Sequence, residues 1–206
     1  MIRSTLLIAS ASVALSGCAL LASPDPVQLY RFGGASAFAG TGATSACPDV
    51  HVSMRRIDFP EASSGDRILA VTGAEAAYIK GARWVSPAET LFEEALRNAF
   101  LDGGTCTVLS GGPLTRDGLL LSVDVRRFEA AYAAPGAVPN ANIVVLLRLI
   151  RPGDRSIVAE DRISVSESAG ENRQSAIVAA FDRATAEASR QIVLWTDQQG
   201  FQATRD

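Results

Sequence analysis

Leu119, Leu121, Val123 and Val125 alternate with Ser122, Asp124 and Arg126. A period of two sends alternate side chains to opposite faces of an extended chain, so this segment reads as a strand with one buried face. Asn142 to Arg151 is more continuously apolar, as suits the middle of a sheet. Pro152-Gly153-Asp154 follows, with Pro and Gly at the central positions of a type II turn. Ser156 to Ser166 then returns with Ile157, Ala159, Ile163 and Val165 on one face, completing a hairpin.

Two segments carry the helical period instead. Ser86-Pro87-Ala88-Glu89 reads as a helix start, with Ser86 as N-cap, Pro87 at the first position and Glu89 closing a capping box. Leu91, Phe92, Ala95, Leu96, Ala99 and Phe100 form one apolar stripe, and Asp102-Gly103-Gly104 supplies the stop. The second helix spans about Arg173 to Trp195, with Ile177, Phe181, Ala184, Ala188 and Ile192 on its apolar side. Val27–Phe32, Val50–Ile57, Arg67–Val71, Ala76–Ile79 and Thr105–Leu109 read as short strands. This order predicts a single α+β domain over residues 49–197, a largely antiparallel sheet with two amphipathic helices packed on one face. Residues 198–206 form a polar tail expected to fray. Residues 18–48, rich in Gly, Ala, Ser and Pro, read as a flexible tether.

The first 17 residues stand apart. Arg3 precedes an apolar run from Leu6 to Leu15, about half the roughly 20 residues that a membrane-spanning helix needs. This is the length of an export signal. Leu15-Ser16-Gly17-Cys18 resembles the bacterial lipobox, which implies cleavage before Cys18 and acyl chains, palmitate among them, on Cys18. Several acyl chains, at about 0.8 kcal/mol per buried CH₂, anchor a protein stably. Ala19, where an Asp commonly signals retention at the inner membrane, favours the outer membrane by the same resemblance.

Export sets the reading of the cysteines. Beyond Cys18 there are two, Cys47 and Cys106, in a compartment where disulfides persist. A bridge between them would close a loop of about 59 residues and contribute ~4 kcal/mol in the chain-entropy model. Two unrelated buried thiols is the other reading, and both stay open at this point.

Chemistry-bearing constellations are sparse. The 206 residues hold 19 Lys and Arg against 22 Asp and Glu, a net charge of −3 without the basic excess that nucleic acid needs. His51 is the single histidine, and its alternation with Val50 and Val52 turns it to solvent. The sequence contains no nucleophile elbow, zinc-protease or phosphate-loop motif. Gly40-Thr41-Gly42 lacks the strand–helix context of a dinucleotide site, and Asp49, Asp58 and Glu61 lack metal-loop spacing. Glu93 and Glu94 suit a solvated helix face. Arg126-Arg127 with Arg148, Arg151 and Arg155 suits pairing with Asp124, Glu160 and Asp161 rather than a binding strip. Trp84 and Trp195 suit helix-against-sheet packing. The expectation is a non-enzymatic protein with no cofactor or metal and no nucleic-acid partner.

Arg67-Ile68-Leu69-Ala70-Val71, Ala77-Tyr78 and Gly81-Ala82-Arg83-Trp84-Val85-Ser86-Pro87, leading into an amphipathic helix behind a lipobox, resemble the ABC-type transport auxiliary lipoprotein family. The similarity continues through Phe128, the Val144–Ile150 strand and the helix ending at Trp195. The resemblance implies a periplasm-facing lipoprotein working with an Mce-type substrate-binding protein and its ABC permease and ATPase, moving lipids or other hydrophobic molecules between two membranes. An outer-membrane assembly lipoprotein, which chaperones a membrane protein, is the alternative. The oligomeric state, including a homo-oligomer, is left open.

Overall fold

The computed structural model of the chain describes residues 26–38, 49–109 and 118–205. Residues 1–17, Cys18, Cys47 and Gly40-Thr41-Gly42 lie outside the described residues. In chain order the elements are β1 (Gln28–Tyr30), β2 (Val50–Met54), α1 (Glu61–Ser64), β3 (Arg67–Thr72), β4 (Glu75–Trp84), α2 (Ala88–Gly103), β5 (Thr107–Leu109), β6 (Leu119–Tyr132), β7 (Asn140–Ile150), β8 (Ile157–Ser168) and α3 (Gln174–Ala203).

β6 organises the sheet. One edge pairs with β7 from Leu120 to Ala131, and β7 pairs in turn with β8. The other edge is shared: Leu119–Leu121 pair with β2, Asp124 bridges to Asp58, and Ala130–Tyr132 pair with β3. β5 extends the sheet beyond β2, while β4 and then β1 extend it beyond β3. Leu121, Val123 and Val125 are buried on one face of β6. A register shift between Val125 and Arg127 then changes the parity, so Phe128 and Ala130 keep to that same face.

Both long helices cover this face. Phe128 lies at the junction, its ring 4.8 Å from Phe181 of α3, 6.3 Å from Phe92 of α2, and close to Phe59 and Phe32. Trp84 meets Phe32 and Phe181 edge-on at 4.8 and 5.4 Å. Such ring pairs add about 0.5–1.5 kcal/mol each beyond the area they bury. The buried side chains form one apolar core, as a single α+β domain requires.

The sheet is largely antiparallel, as expected, through its two eleven-residue pairings, and it is mixed in that four of its seven pairings, each three residues long, are parallel. β2 and β3 reach β6 through crossovers, which preserve strand direction, whereas short turns join β6 to β8 and reverse it. Several expectations need correction. Ser86 makes no capping bond: α2 starts at Ala88 after Pro87, and Glu89 accepts instead from Arg56 Nε at 2.8 Å. Gly104 is extended rather than left-handed (φ −65°), and its value is space, since a Cβ would lie 2.6 Å from Phe100 O. The Pro152 turn is not type II, because the positive φ (60°) falls on Arg155 and Asp154 Oδ1 accepts from Ser156 N at 2.9 Å. A bulge between Ile157 and Ala159 leaves the Ile157 side chain 57% exposed, off the buried face.

The two ends differ most from expectation. Residues 26–38, placed in the tether, pack onto the domain, with Phe32 only 2% exposed. The polar tail is helical through Ala203, and Thr196, Asp197 and Gly200 are buried.

Candidate functional site

The chain nearest the expected anchor is fastened at successive points along residues 26–38. β1 lies parallel to β4, with Leu29 beside Arg83 and Tyr30 beside Trp84, and Val85 N donates to Tyr30 O at 2.7 Å. Tyr30 OH donates to Gln174 Oε1 at 3.3 Å, and Gln174 Nε2 donates to Lys80 O at 2.8 Å. Phe32 then enters the aromatic core. Gly33, Gly34 and Ala35 turn their backbone N–H groups onto Asp182 Oδ1 at 2.7, 2.9 and 3.3 Å. Three convergent amides make an anion-binding concavity, here filled by a carboxylate of α3. Gly33 is required: its φ is 82°, and a Cβ would lie 2.9 Å from Ala95 Cβ. A cavity of about 210 Å³ remains beneath the strap, against Ala95, Ala99, Ala186 and Ser189.

A second fastening holds the chain around Cys106. Asp197 Oδ2 accepts from Thr105 N and Thr105 Oγ1, both at 2.8 Å. Val50 N donates to Cys106 O at 2.7 Å, and Val50 pairs with Thr107 in register. Val50 itself therefore lies beside Cys106. Cys47 precedes Val50 by three residues.

The singled-out charged residues and His51 lie at the surface. His51 is exposed on β2 between buried Val50 and Val52. Glu93 pairs with Arg97 at 2.8 Å, and Glu94 lies 3.7 Å from Arg31. Arg148 pairs across strands with Glu160 at 2.6 Å, whereas Arg126 reaches Asp124 on its own strand at 3.1 Å. The hydrogen bond that Arg148 donates to Glu160 holds the guanidinium charged, raising its pKa. Burial raises the Tyr132 hydroxyl, and the bond from Arg190 lowers the Glu187 carboxyl. Trp84 is a core residue, and Trp195 is partly buried against the core. Among the described residues no three His, Cys, Asp or Glu side chains group as metal ligands. No described helix is long and apolar enough to cross a membrane.

What sequence reasoning missed is the pair Asp182 and Asp197. Both lie in α3, and neither position carries a motif.

The model of the ABC-type transport auxiliary lipoprotein component matches residues 35–193. The chain belongs to this family. The match covers every strand after β1, all of α2, and α3 from Gln174 to Val193. No curated protein matches the chain. Among solved structures, a Xanthomonas campestris protein is similar at TM-score 0.75 and 24% identity, covering 87% of this chain and all of its own. An uncharacterized protein is similar at TM-score 0.62 and 16% identity, over 82% of this chain and 98% of its own. Both likenesses concern the fold.

Proposed function

We propose that this family member is a lipid-anchored, non-enzymatic subunit that serves an Mce-type transporter of lipids or other hydrophobic molecules, from the periplasmic face of the outer membrane. The family match over residues 35–193 carries the reading. The lipobox ending at Cys18 supports the anchor, and Ala19 supports the outer membrane.

The folded N-terminal segment bears on how such a subunit would work. Pro26, the first described residue, is eight residue steps from Cys18, a span of at most ~28 Å when fully extended. A domain on so short a leash stays beside its own membrane. The partner must cross the remaining distance, as an elongated Mce assembly fed by a permease and ATPase would. The domain's part is docking, and docking needs a rigid surface held at a fixed height.

A Cys47–Cys106 bridge belongs to the same proposal. The β2–β5 register, which sets Val50 beside Thr107, supports it, since Val50 follows Cys47 by three residues and Thr107 follows Cys106, and Asp197 fixes the turn at Thr105. Peptide mapping of periplasmic material without reductant is expected to recover one linked pair. Recovery of both thiols in alkylated form would defeat the bridge.

In-cell crosslinking tests the partner. The expected result is capture of an Mce-type protein; capture of only an outer-membrane barrel would move the assignment to an assembly lipoprotein. Cys18→Ser is expected to leave an unprocessed or soluble form without incorporated palmitate.

A further inference from the structure

We propose that the β6–β7 turn, residues 133–138, rests in the headgroup layer of the membrane that holds the anchor, so that the strands of the meander stand along the membrane normal. The inference rests on the lipid-anchored reading of Cys18 and adds an orientation to it.

No charged residue occurs between Glu129 and Arg148. For β7 this reflects its burial in the middle of the sheet. The turn has no such reason, because Ala133, Ala134, Pro135, Gly136 and Val138 are all exposed, Val138 at 45%. The turn is also held in one shape. Ala137 N donates to Ala134 O at 3.1 Å, Gly136 takes a φ of 78°, and Gly136 O accepts from Asn172 Nδ2 at 3.2 Å. The turn between β3 and β4, Gly73-Ala74, lies alongside, since Thr72 pairs with Tyr132. It brings one carboxylate, Glu75, while Glu171 and Arg173, which flank Asn172, neutralise each other at 3.1 Å. The other turn of the meander, Arg151-Pro152-Gly153-Asp154-Arg155, carries three charges in five residues. That composition is what a solvated hairpin turn needs. The uncharged turn suits a boundary where charge is costly and apolar atoms gain by leaving water.

The point at which the chain enters the domain supplies the independent argument. β1 runs parallel to β4, and β4 antiparallel to β3, so the chain upstream of Gln28 points toward the β3–β4 turn. Pro26 lies on that side: a Cβ on Gly81 would be 3.9 Å from Pro26 O and 3.6 Å from Gln174 Nε2. Gln174 is two residues beyond Asn172, which holds Gly136. The leash from Cys18 therefore meets the domain beside the β6–β7 turn, and its limit of ~28 Å keeps this end at the membrane. α3 starts here and runs for 30 residues, ~45 Å, to the opposite end, where Gly200 approaches Val50. That far end reaches the same bilayer only when the domain lies on its side.

The test is photo-crosslinking of the full chain in cells, with p-benzoylphenylalanine replacing Ala134 or, in the opposite turn, Gly153. Both positions are exposed, and a Cβ at Gly153 meets nothing within 4 Å. Palmitate labelling of the same cells reports the anchor separately. The expected result is phospholipid adducts at 134 at least about fivefold above those at 153, the ratio that burial of about 40 Å² of apolar surface would give. Val138→Glu, with the crosslinker at 134, sets a carboxylate against anionic headgroups and should cut the lipid adduct by about fivefold. Lipid adducts equal at the two positions or absent from 134, or mainly protein adducts at 134, would overturn the orientation while the anchor stands. A chain without palmitate would overturn the anchor reading, and the orientation with it.

Discussion

The β6–β7–β8 meander and the N-terminal strap at residues 26–38 both belong to the folded domain, yet they are held by different means. The meander is held by repetition: alternate residues along eleven-residue pairings are buried, and no single one carries the whole. The strap is held by points, namely a three-residue strand, one buried Phe and one carboxylate gathering three amides. A repeated pattern survives the loss of one member locally but transmits a cavity to everything packed on it. A point-fastened segment can come away while the rest stays folded.

The largest effect should come from the centre of the meander. Phe128→Ala removes the ring that α2 and α3 share, and is expected to lower stability by about 3–5 kcal/mol. Chemical denaturation should show one earlier transition, with α2, α3 and the sheet lost together. Phe32→Ala sharpens the comparison, since Phe32 is equally buried but sits in the strap. A loss of about 3 kcal/mol is the upper expectation, because the strap can release and relieve part of the cavity. Equal losses and identical cooperative unfolding for the two variants would erase the distinction.

Asp182→Ala should have a smaller, local effect. Loss of the acceptor leaves three backbone donors without their carboxylate, worth about 1–3 kcal/mol in strap opening. Trypsin cleavage after Arg31 reads that opening directly, and should quicken by about 5- to 100-fold while the β7–β8 region resists. Arg148→Ala should do least. Both partners of the Arg148–Glu160 pair are about half exposed, so a midpoint shift under about 1 kcal/mol is expected, shrinking further in high salt.

The same division decides how much of the fold was legible in the sequence. β6, β7, β8 and the apolar stripes of α2 and α3 announce themselves through periods of two and 3.6, and the structure contains all of them. The four parallel pairings do not, because a three-residue ladder is too short to display any period. The shift at Val125–Arg127 is likewise silent, yet it decides that Phe128 faces the core. Val27–Phe32 reads as a strand and contains β1, but the Gly- and Ala-rich residues around it have the composition of a linker, and the order of residues 26–38 depends on partners more than fifty residues away. The second helix reads as ending at Trp195 because Thr196 and Asp197, which follow it, are polar. Thr196 Oγ1 satisfies itself on Ile192 O at 2.7 Å, and Asp197 serves Thr105, so the helix could continue buried. The family was legible in the Trp84–Pro87 segment and the helix after it, whereas the fastening carboxylates Asp182 and Asp197 carried no local signal.

Everything inferred about reach depends on the strap being part of the domain rather than part of a tether. Amide hydrogen exchange at Gly33, Gly34 and Ala35 in the full chain measures this directly. The expected result is protection approaching that of β4, with Asp182→Ala removing it selectively. Exchange at the rate of an unstructured peptide in the unaltered chain would contradict it, and would return residues 18–48 to a long, flexible tether.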